Sequence, residues 1–294
     1  MAEQIYEKDD SNEVIFQKPI VKDKSIPERK IDDSSNAKSD LIDSNEKEKI
    51  KEELREQVVE AKNSERVPTG VKGFDDLIEG GFEKNSIVLV AGSAGTGKTL
   101  FSMQFLYSGV TKFNEPGIFI SFEEEEDSLY SHAKQFGWNF KELENDGKFK
   151  LLFFKPHQVT KIIEEGGGQI RDAITEIGAK RVVIDSITAY GLLFRDEYNR
   201  REKILEFFTL LSKWGITALI IAEDNPTDLE NEEGSIAFIS DAVISMFYHH
   251  DEEKGIRTHS LEILKMRGTK HTNKVCALDF EEDGLRVYPD VEVF

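Results

Sequence analysis

Residues 92–99 read Gly-Ser-Ala-Gly-Thr-Gly-Lys-Thr, a G-x-x-x-x-G-K-T pattern whose residue types suit phosphate. Gly92, Gly95 and Gly97 let the backbone wrap closely around an anion and reach φ > 0. The N–H groups of the loop, those of Ser93, Ala94 and Thr96 included, then point at the anion together with the helix N-terminus. Lys98 can reach the β- and γ-phosphates of a nucleotide, and the Thr99 hydroxyl can ligate Mg²⁺. The flanks agree. An apolar strand-type run, Ser86–Ala91, precedes the loop, and Leu100–Tyr107 follows with the spacing of a buried helix. The competing reading, a glycine turn with a solvated lysine, does not account for that strand–loop–helix context.

In open parallel sheets, ligands sit at the carboxyl ends of the strands. The run Arg181-Val182-Val183-Ile184 ends in Asp185, placed to hold the water shell of Mg²⁺ beside Thr99. The alternative for Asp185 is a helix cap. Gly117–Phe122 ends in Glu123-Glu124-Glu125-Glu126. Glu123 and Glu124 lie closest to the strand end, where a carboxylate can orient and deprotonate an attacking water. Glu125, Glu126 and Asp127 suit the N-terminus of the next helix, whose dipole favours acids. Glu223, after strand 216–222, is either a γ-phosphate sensor or a solvated loop acid.

A third group is Lys265 and Arg267 in Leu264-Lys265-Met266-Arg267. Alternation puts both cations on one strand face, with Leu264 and Met266 opposite. Two cations on one edge suit a phosphate. They lie far along the chain from residues 92–99, and an arginine finger is often supplied by a neighbouring subunit. The alternative is a solvated cationic edge.

These residues need a scaffold, and the 294 residues divide into two kinds of material. Residues 1–63 are rich in Lys, Asp, Glu, Ser and Asn, which cannot bury enough apolar surface to offset ordering entropy. We expect 1–45 to be disordered and a helix over 44–62, either a docking helix or a frayed solvated one. The folded part, 64–294, alternates strands (86–91, 117–122, 150–154, 181–185, 216–222) with helices (98–110, 126–137, 169–178, 198–214). That alternation predicts an α/β fold with a mainly parallel twisted sheet and helices on both faces. After residue 240 the runs 242–248, 260–267, 274–278 and 285–288 predict an antiparallel β extension. The net charge of −19 argues against a general binder of nucleic acid or anionic membrane. The single cysteine, Cys276, allows neither an internal disulfide nor a cysteine metal cluster. The stretch Met1–Glu7 lacks the features of a signal peptide, and no run approaches the length of a membrane span, so a cytoplasmic location is expected.

From about Arg66 to Pro289 the chain resembles the KaiC family of RecA-superfamily ATPases, in a single-domain form. The resemblance is carried by Pro68-Thr69, Gly73-Phe74-Asp75-Asp76, Gly80-Gly81, the Gly92–Thr99 loop with Leu100-Phe101-Ser102, and Gln104-Phe105-Leu106-Tyr107. Ser121-Phe122-Glu123-Glu124, Phe136-Gly137-Trp138, Ile184-Asp185-Ser186-Ile187-Thr188, Leu264-Lys265, Arg267-Gly268-Thr269 and His271 add to it. It implies a RecA-like core, ATP and Mg²⁺ as ligands, and a homo-oligomeric, hexameric ring with nucleotide between subunits. It implies that Gly92–Leu100 contact the nucleotide, that Glu123 and Glu124 are the catalytic pair, and that His271 lies near the nucleotide. Lys265 and Arg267 would reach the neighbour's γ-phosphate. Ala237-Phe238 stand where the family's clock proteins carry a phosphorylated Ser-Thr pair, so autokinase activity of that type is not implied. The expected role is an ATP-hydrolysing regulatory or signalling ring with a protein partner. The alternative is a recombination or repair ATPase that binds single-stranded DNA. The acidic stretch Glu223–Ser240, without Lys or Arg, argues against it, and Arg195, Arg200 and Arg201 argue for it. A third reading is a nucleotide-gated scaffold with negligible turnover.

Overall fold

The computed structural model describes residues 66–223, 236–251 and 255–292. The expected disorder over 1–45, the helix over 44–62, the boundary near 63 and residues 224–235 of the acidic stretch lie outside them.

In chain order, the short strand Arg66–Val67 (β1) pairs antiparallel with Phe82–Glu83 (β2) around a 3-10 turn at Asp75–Ile78. Then come β3 (Ile87–Ala91), α1 (Lys98–Phe113), β4 (Gly117–Ser121), α2 (Glu126–Gln135), α3 (Phe140–Asn145) and β5 (Phe149–Phe153). They are followed by α4 (Pro156–Glu164), α5 (Gly168–Ile177), β6 (Arg181–Asp185), α6 (Ile187–Gly191), α7 (Glu197–Lys213) and β7 (Thr217–Ala222). Beyond residues 224–235 come α8 (Ile236–Ile239), β8 (Ala242–Asp251), β9 (Ile256–Met266), β10 (Cys276–Glu281) and β11 (Gly284–Glu292).

The main sheet has the order β11-β10-β9-β8-β3-β7-β6-β4-β5. Strands β8, β3, β7, β6, β4 and β5 are mutually parallel, and β9, β10 and β11 extend the sheet antiparallel. The strand over 242–251 therefore differs from the expectation: it joins the parallel core, Val88 facing Ala242 and Ala91 facing Ser245. A strand's alternation fixes its faces but says nothing about the direction of its neighbour. The four short helices α3, α4, α6 and α8 were also unexpected. For α4 a signal existed, with Pro156 in the first turn and the Gln158 side chain accepting from the Lys155 N–H.

Alternation along β3 sorts the core into two layers. Val88 and Val90 face one side, with Phe101, Phe105 and Leu106 of α1. Ile87, Leu89 and Ala91 face the other, with Val159 of α4, Ile170 of α5, and Phe207 and Leu211 of α7. Phe101, Phe105 and Leu106 are fully buried, and each stabilises the seat of α1 by about 1.5–3 kcal/mol. That seat matters because the helix N-terminus is the anion-facing end. Buried Arg181, at the start of β6, ties the same parts together. Its guanidinium lies 4.5 Å from the centre of the Phe105 ring, Nη1 donates to the Phe105 carbonyl at 2.9 Å, and Nε donates to Glu115 at 2.7 Å. These contacts fix β6, which ends in Asp185, against α1, which begins with Lys98 and Thr99.

Candidate phosphate and magnesium site

The 92–99 loop joins the carboxyl end of β3 to the N-terminus of α1. Gly92 is required by close approach, since a Cβ there would stand 2.5 Å from the Met246 carbonyl oxygen. Gly97 caps α1 at φ 96 with no side-chain hydrogen bond, so the first-turn N–H groups have no side-chain cap. The Ser93 carbonyl accepts from the Lys98 ammonium at 2.9 Å and from the Thr96 hydroxyl at 3.0 Å. Lys98 is buried, and that burial lowers its pKa, while the carboxylates of Glu223, Asp185 and Glu123 oppose the shift. Glycines at the tight points, an uncapped helix start and a desolvated ammonium fit a polyphosphate.

The Thr99 hydroxyl donates to Asp185 Oδ2 at 2.8 Å. Burial pushes the Asp185 pKa up to about 6, Thr99 lowers it, and Glu123 and Glu124 add repulsion. A carboxylate so placed gains from a nearby cation. Among the described residues, no group of three or more His, Cys, Asp or Glu is arranged to hold a metal. Thr99 and Asp185 are hard oxygen donors that suit Mg²⁺ when phosphate oxygens and water complete its shell.

The Glu123 carboxylate accepts from Ser186 Oγ at 2.7 Å, beside the cis Asp185–Ser186 peptide. Glu124 is held by its neighbours. Ser121 Oγ donates to its carbonyl at 2.6 Å, its N–H donates back at 3.0 Å, and Ser128 Oγ donates to its carboxylate at 3.1 Å. The Glu223 N–H donates to Thr188 Oγ1 at 2.9 Å. Ala94, Gly95, Gly97, Lys98, Thr99 and Leu100 line one cleft of about 450 Å³ with Glu124, Asp185 and Glu223. Its other walls are Met103, His132, Gln135, Phe136 and Phe280, residues that motif spacing did not single out. Phe136 belongs to the Phe-Gly-Trp signature, but nothing local to residue 280 points to the loop.

Lys265, Arg267 and His271 are not brought to this cleft. Lys265 faces Val243, at the amino end of the parallel strands, whereas the loop leaves their carboxyl end. Val243 is level with Leu89, three residues short of Gly92, and β8 stands between β9 and β3; at about 3.3 Å per residue and about 4.8 Å per strand, this keeps Lys265 roughly 14 Å from the loop of its own chain, with Arg267 two residues further along. Lys265 is also engaged: its ammonium donates to the carbonyls of Ala237, Phe238 and Ser240 at 2.9, 3.2 and 2.7 Å. Arg267 donates to the Phe238 carbonyl at 2.9 Å and pairs with Asp241 at 3.4 Å. Both cations thus close the carboxyl end of α8. His271 pairs with the Thr272 carbonyl through Nδ1 at 2.9 Å.

A mainly parallel sheet with this loop at one strand end and an Asp at another defines a P-loop NTPase with a RecA-like core. Consistent with it, a family model described as "ATPase: KaiC" matches residues 67–292. The chain belongs to the KaiC ATPase family. It is 33% identical to the circadian clock oscillator protein KaiC of a Nostoc species over 81% of this chain and 47% of that protein. It is 32% identical to the UPF0273 protein MJ1359 of Methanocaldococcus jannaschii, over 76% of this chain and 97% of that one. Among solved structures, a KaiC-like protein, PH0186, from Pyrococcus horikoshii superposes with a TM-score of 0.67 at 34% identity. The match covers 76% of this chain and 99% of that one. The chain spans about half the length of the curated clock proteins it matches. Among the described residues, no helix is long and apolar enough to cross a membrane.

Proposed function

We propose that this chain is a Mg²⁺-dependent ATP hydrolase that works as a cytoplasmic regulatory or signalling ring. The observation that carries the reading is the convergence of Lys98, Thr99, Asp185 and Glu124 on one cleft, with Glu123 beside Asp185. On this reading, the loop N–H groups and Lys98 bind the phosphates. The apolar walls Leu100, Met103, Phe136 and Phe280 leave room for a base. Thr99 and Asp185 would hold Mg²⁺, which would supply charge neutralisation of the phosphate oxygens. Ser186 fixes the Glu123 carboxylate by hydrogen bonding, and Ser121 and Ser128 fix Glu124. A held carboxylate at this position orients water and accepts its proton. Arg267 serves the γ-phosphate of a neighbouring subunit, because it sits at the end of the strands opposite to its own loop. Lys265 then acts chiefly by holding α8 in place beside Arg267, and His271 approaches the same shared site.

ATP turnover by the purified chain tests the reading. Lys98→Ala should abolish tight ATP binding, because the phosphate charge loses its buried cation. Glu123→Gln with Glu124→Gln should keep binding and lose turnover, because an amide accepts no proton. Wild-type turnover by that double variant would place the base elsewhere.

A second reading, binding of single-stranded DNA, is favoured by one observation. Tyr198 is 77% exposed on α7, close to Arg200 and Arg201. Stacking platforms for bases are built from such pairs. The net charge of −19 opposes it. Salt-dependent binding of a labelled oligonucleotide, lost in Tyr198→Ala, would favour it over the signalling role.

A further inference from the structure

A residue of the antiparallel extension reaches back to the phosphate loop. His259 lies on β9 opposite Tyr248 of β8, and the two rings stack with centroids 4.4 Å apart and 17° between their planes. The imidazole also meets Phe280 of β10 edge to face at 4.7 Å. Phe280 in turn covers the loop, since a Cβ on Gly97 would stand 3.0 Å from its ring. On the outer side, the Arg257 guanidinium lies 5.1 Å from the centre of the Tyr248 ring. This packing holds His259 Nε2 at 3.1 Å from the Gly95 carbonyl oxygen. A carbonyl only accepts, so Nε2 carries the proton and donates.

The bond constrains one peptide of the loop. The Gly95–Thr96 peptide is trans, so its C=O and N–H point in opposite directions. Gly95 stands at φ 82 and carries no Cβ, so no side chain of its own restrains the rotation of this peptide. A rotated peptide would turn an oxygen toward an anion and repel it.

We infer that His259 is a positioning residue for nucleotide binding: by donating to the Gly95 carbonyl, it holds the Thr96 N–H turned into the loop, ready for a phosphate oxygen. The inference rests on the nucleotide reading above. It gives the antiparallel extension a role in the chemistry of a loop that belongs to the parallel core. His259 touches no reacting atom, so its loss acts on binding of ground state and transition state alike.

The test compares His259→Phe, which keeps an aromatic ring between Tyr248 and Phe280 without the donor, and His259→Gln, which keeps an N–H donor. The full-length chain is titrated with Mg-ADP and assayed with Mg-ATP. For His259→Phe we expect the ADP Kd and the ATP KM to rise about tenfold or more, as befits a weakened bond from the Thr96 N–H to an anionic phosphate oxygen. We expect its kcat to stay within about twofold, since uniform binding is what is lost. The melting temperature without nucleotide should be unchanged, and His259→Gln should recover most of the affinity. Wild-type affinity in His259→Phe would overturn the inference. So would equal loss in both variants, because a donor at this position would then not restore binding, and a loss confined to His259→Gln would assign the effect to ring packing. A wild-type chain that bound neither nucleotide would overturn the functional reading itself, and this inference with it.

Discussion

Asp185→Asn should make the nucleotide-free protein more stable while it weakens Mg²⁺-dependent binding. The folded state holds the Asp185 carboxyl at about 6 against an ordinary 3.8, with burial as the main cause and the Glu123 and Glu124 charges adding to it. A pKa raised on folding means that the unfolded chain ionises first as pH rises. Ionised Asp185 therefore destabilises the fold increasingly between about pH 4 and 6 and by a constant amount above. The gap of about two units corresponds to roughly 3 kcal/mol at about 1.4 kcal/mol per unit. Asp185 is half-buried at the rim of an open cleft, where water screens part of the charge, so about 1–3 kcal/mol is expected at about pH 7.5. For a domain of this size, that is roughly 3–10 °C in melting temperature. The Asn side chain can still accept from Thr99 Oγ1, so the comparison isolates the charge. Thermal melts with chelator and without nucleotide, at about pH 7.5 and pH 5, measure it; the advantage should fall to about half at the lower pH. In a second melt, Mg-ADP should raise the wild-type midpoint and do much less for the variant. A variant no more stable than wild type at neutral pH, or equally advantaged at both, would refute the electrostatic reasoning.

Gly92→Ala should raise the nucleotide Kd at least tenfold, because the new Cβ would stand 2.5 Å from the Met246 carbonyl and the loop must shift; calorimetric titration with Mg-ADP checks it. Arg267→Ala should leave the fold intact and slow hydrolysis by about 10³. Mixing it with the Glu123→Gln, Glu124→Gln chain should restore some activity through composite sites, and light scattering should find a hexamer with an ATP analogue and smaller species without one. A monomer that turned ATP over at full rate would refute the shared site.

Much of the site was legible because its chemistry is local. The Gly92–Thr99 pattern works through backbone freedom, one ammonium and one hydroxyl within eight consecutive residues, so the sequence itself contains the constellation. Asp185 and the Glu123-Glu124 pair were singled out as candidates by one further rule, that ligands gather at the carboxyl ends of parallel strands. Apolar runs alternating with helical periods carried the fold class for the same reason: period and length are properties of a single segment.

What neighbours decide was out of reach. The runs 86–91 and 242–248 read equally well as strands, but only backbone pairing across the sheet makes the second parallel to the first. Lys265 and Arg267 are two cations on one face by alternation. That they close the end of α8, at the strand end remote from their own loop, depends on a register between β8 and β9 that neither strand encodes alone. Arg181, the first residue of an ordinary strand, becomes the tie between β6 and α1 only because Phe105 and Glu115 come to lie around it. His259 meets Gly95 across 164 positions of chain. The sequence by itself determined which groups can bind phosphate and how each segment is built. The tertiary structure alone decided which distant side chains hold those groups in place, because such contacts depend on strand order and register, and these are set by the packing of the whole sheet.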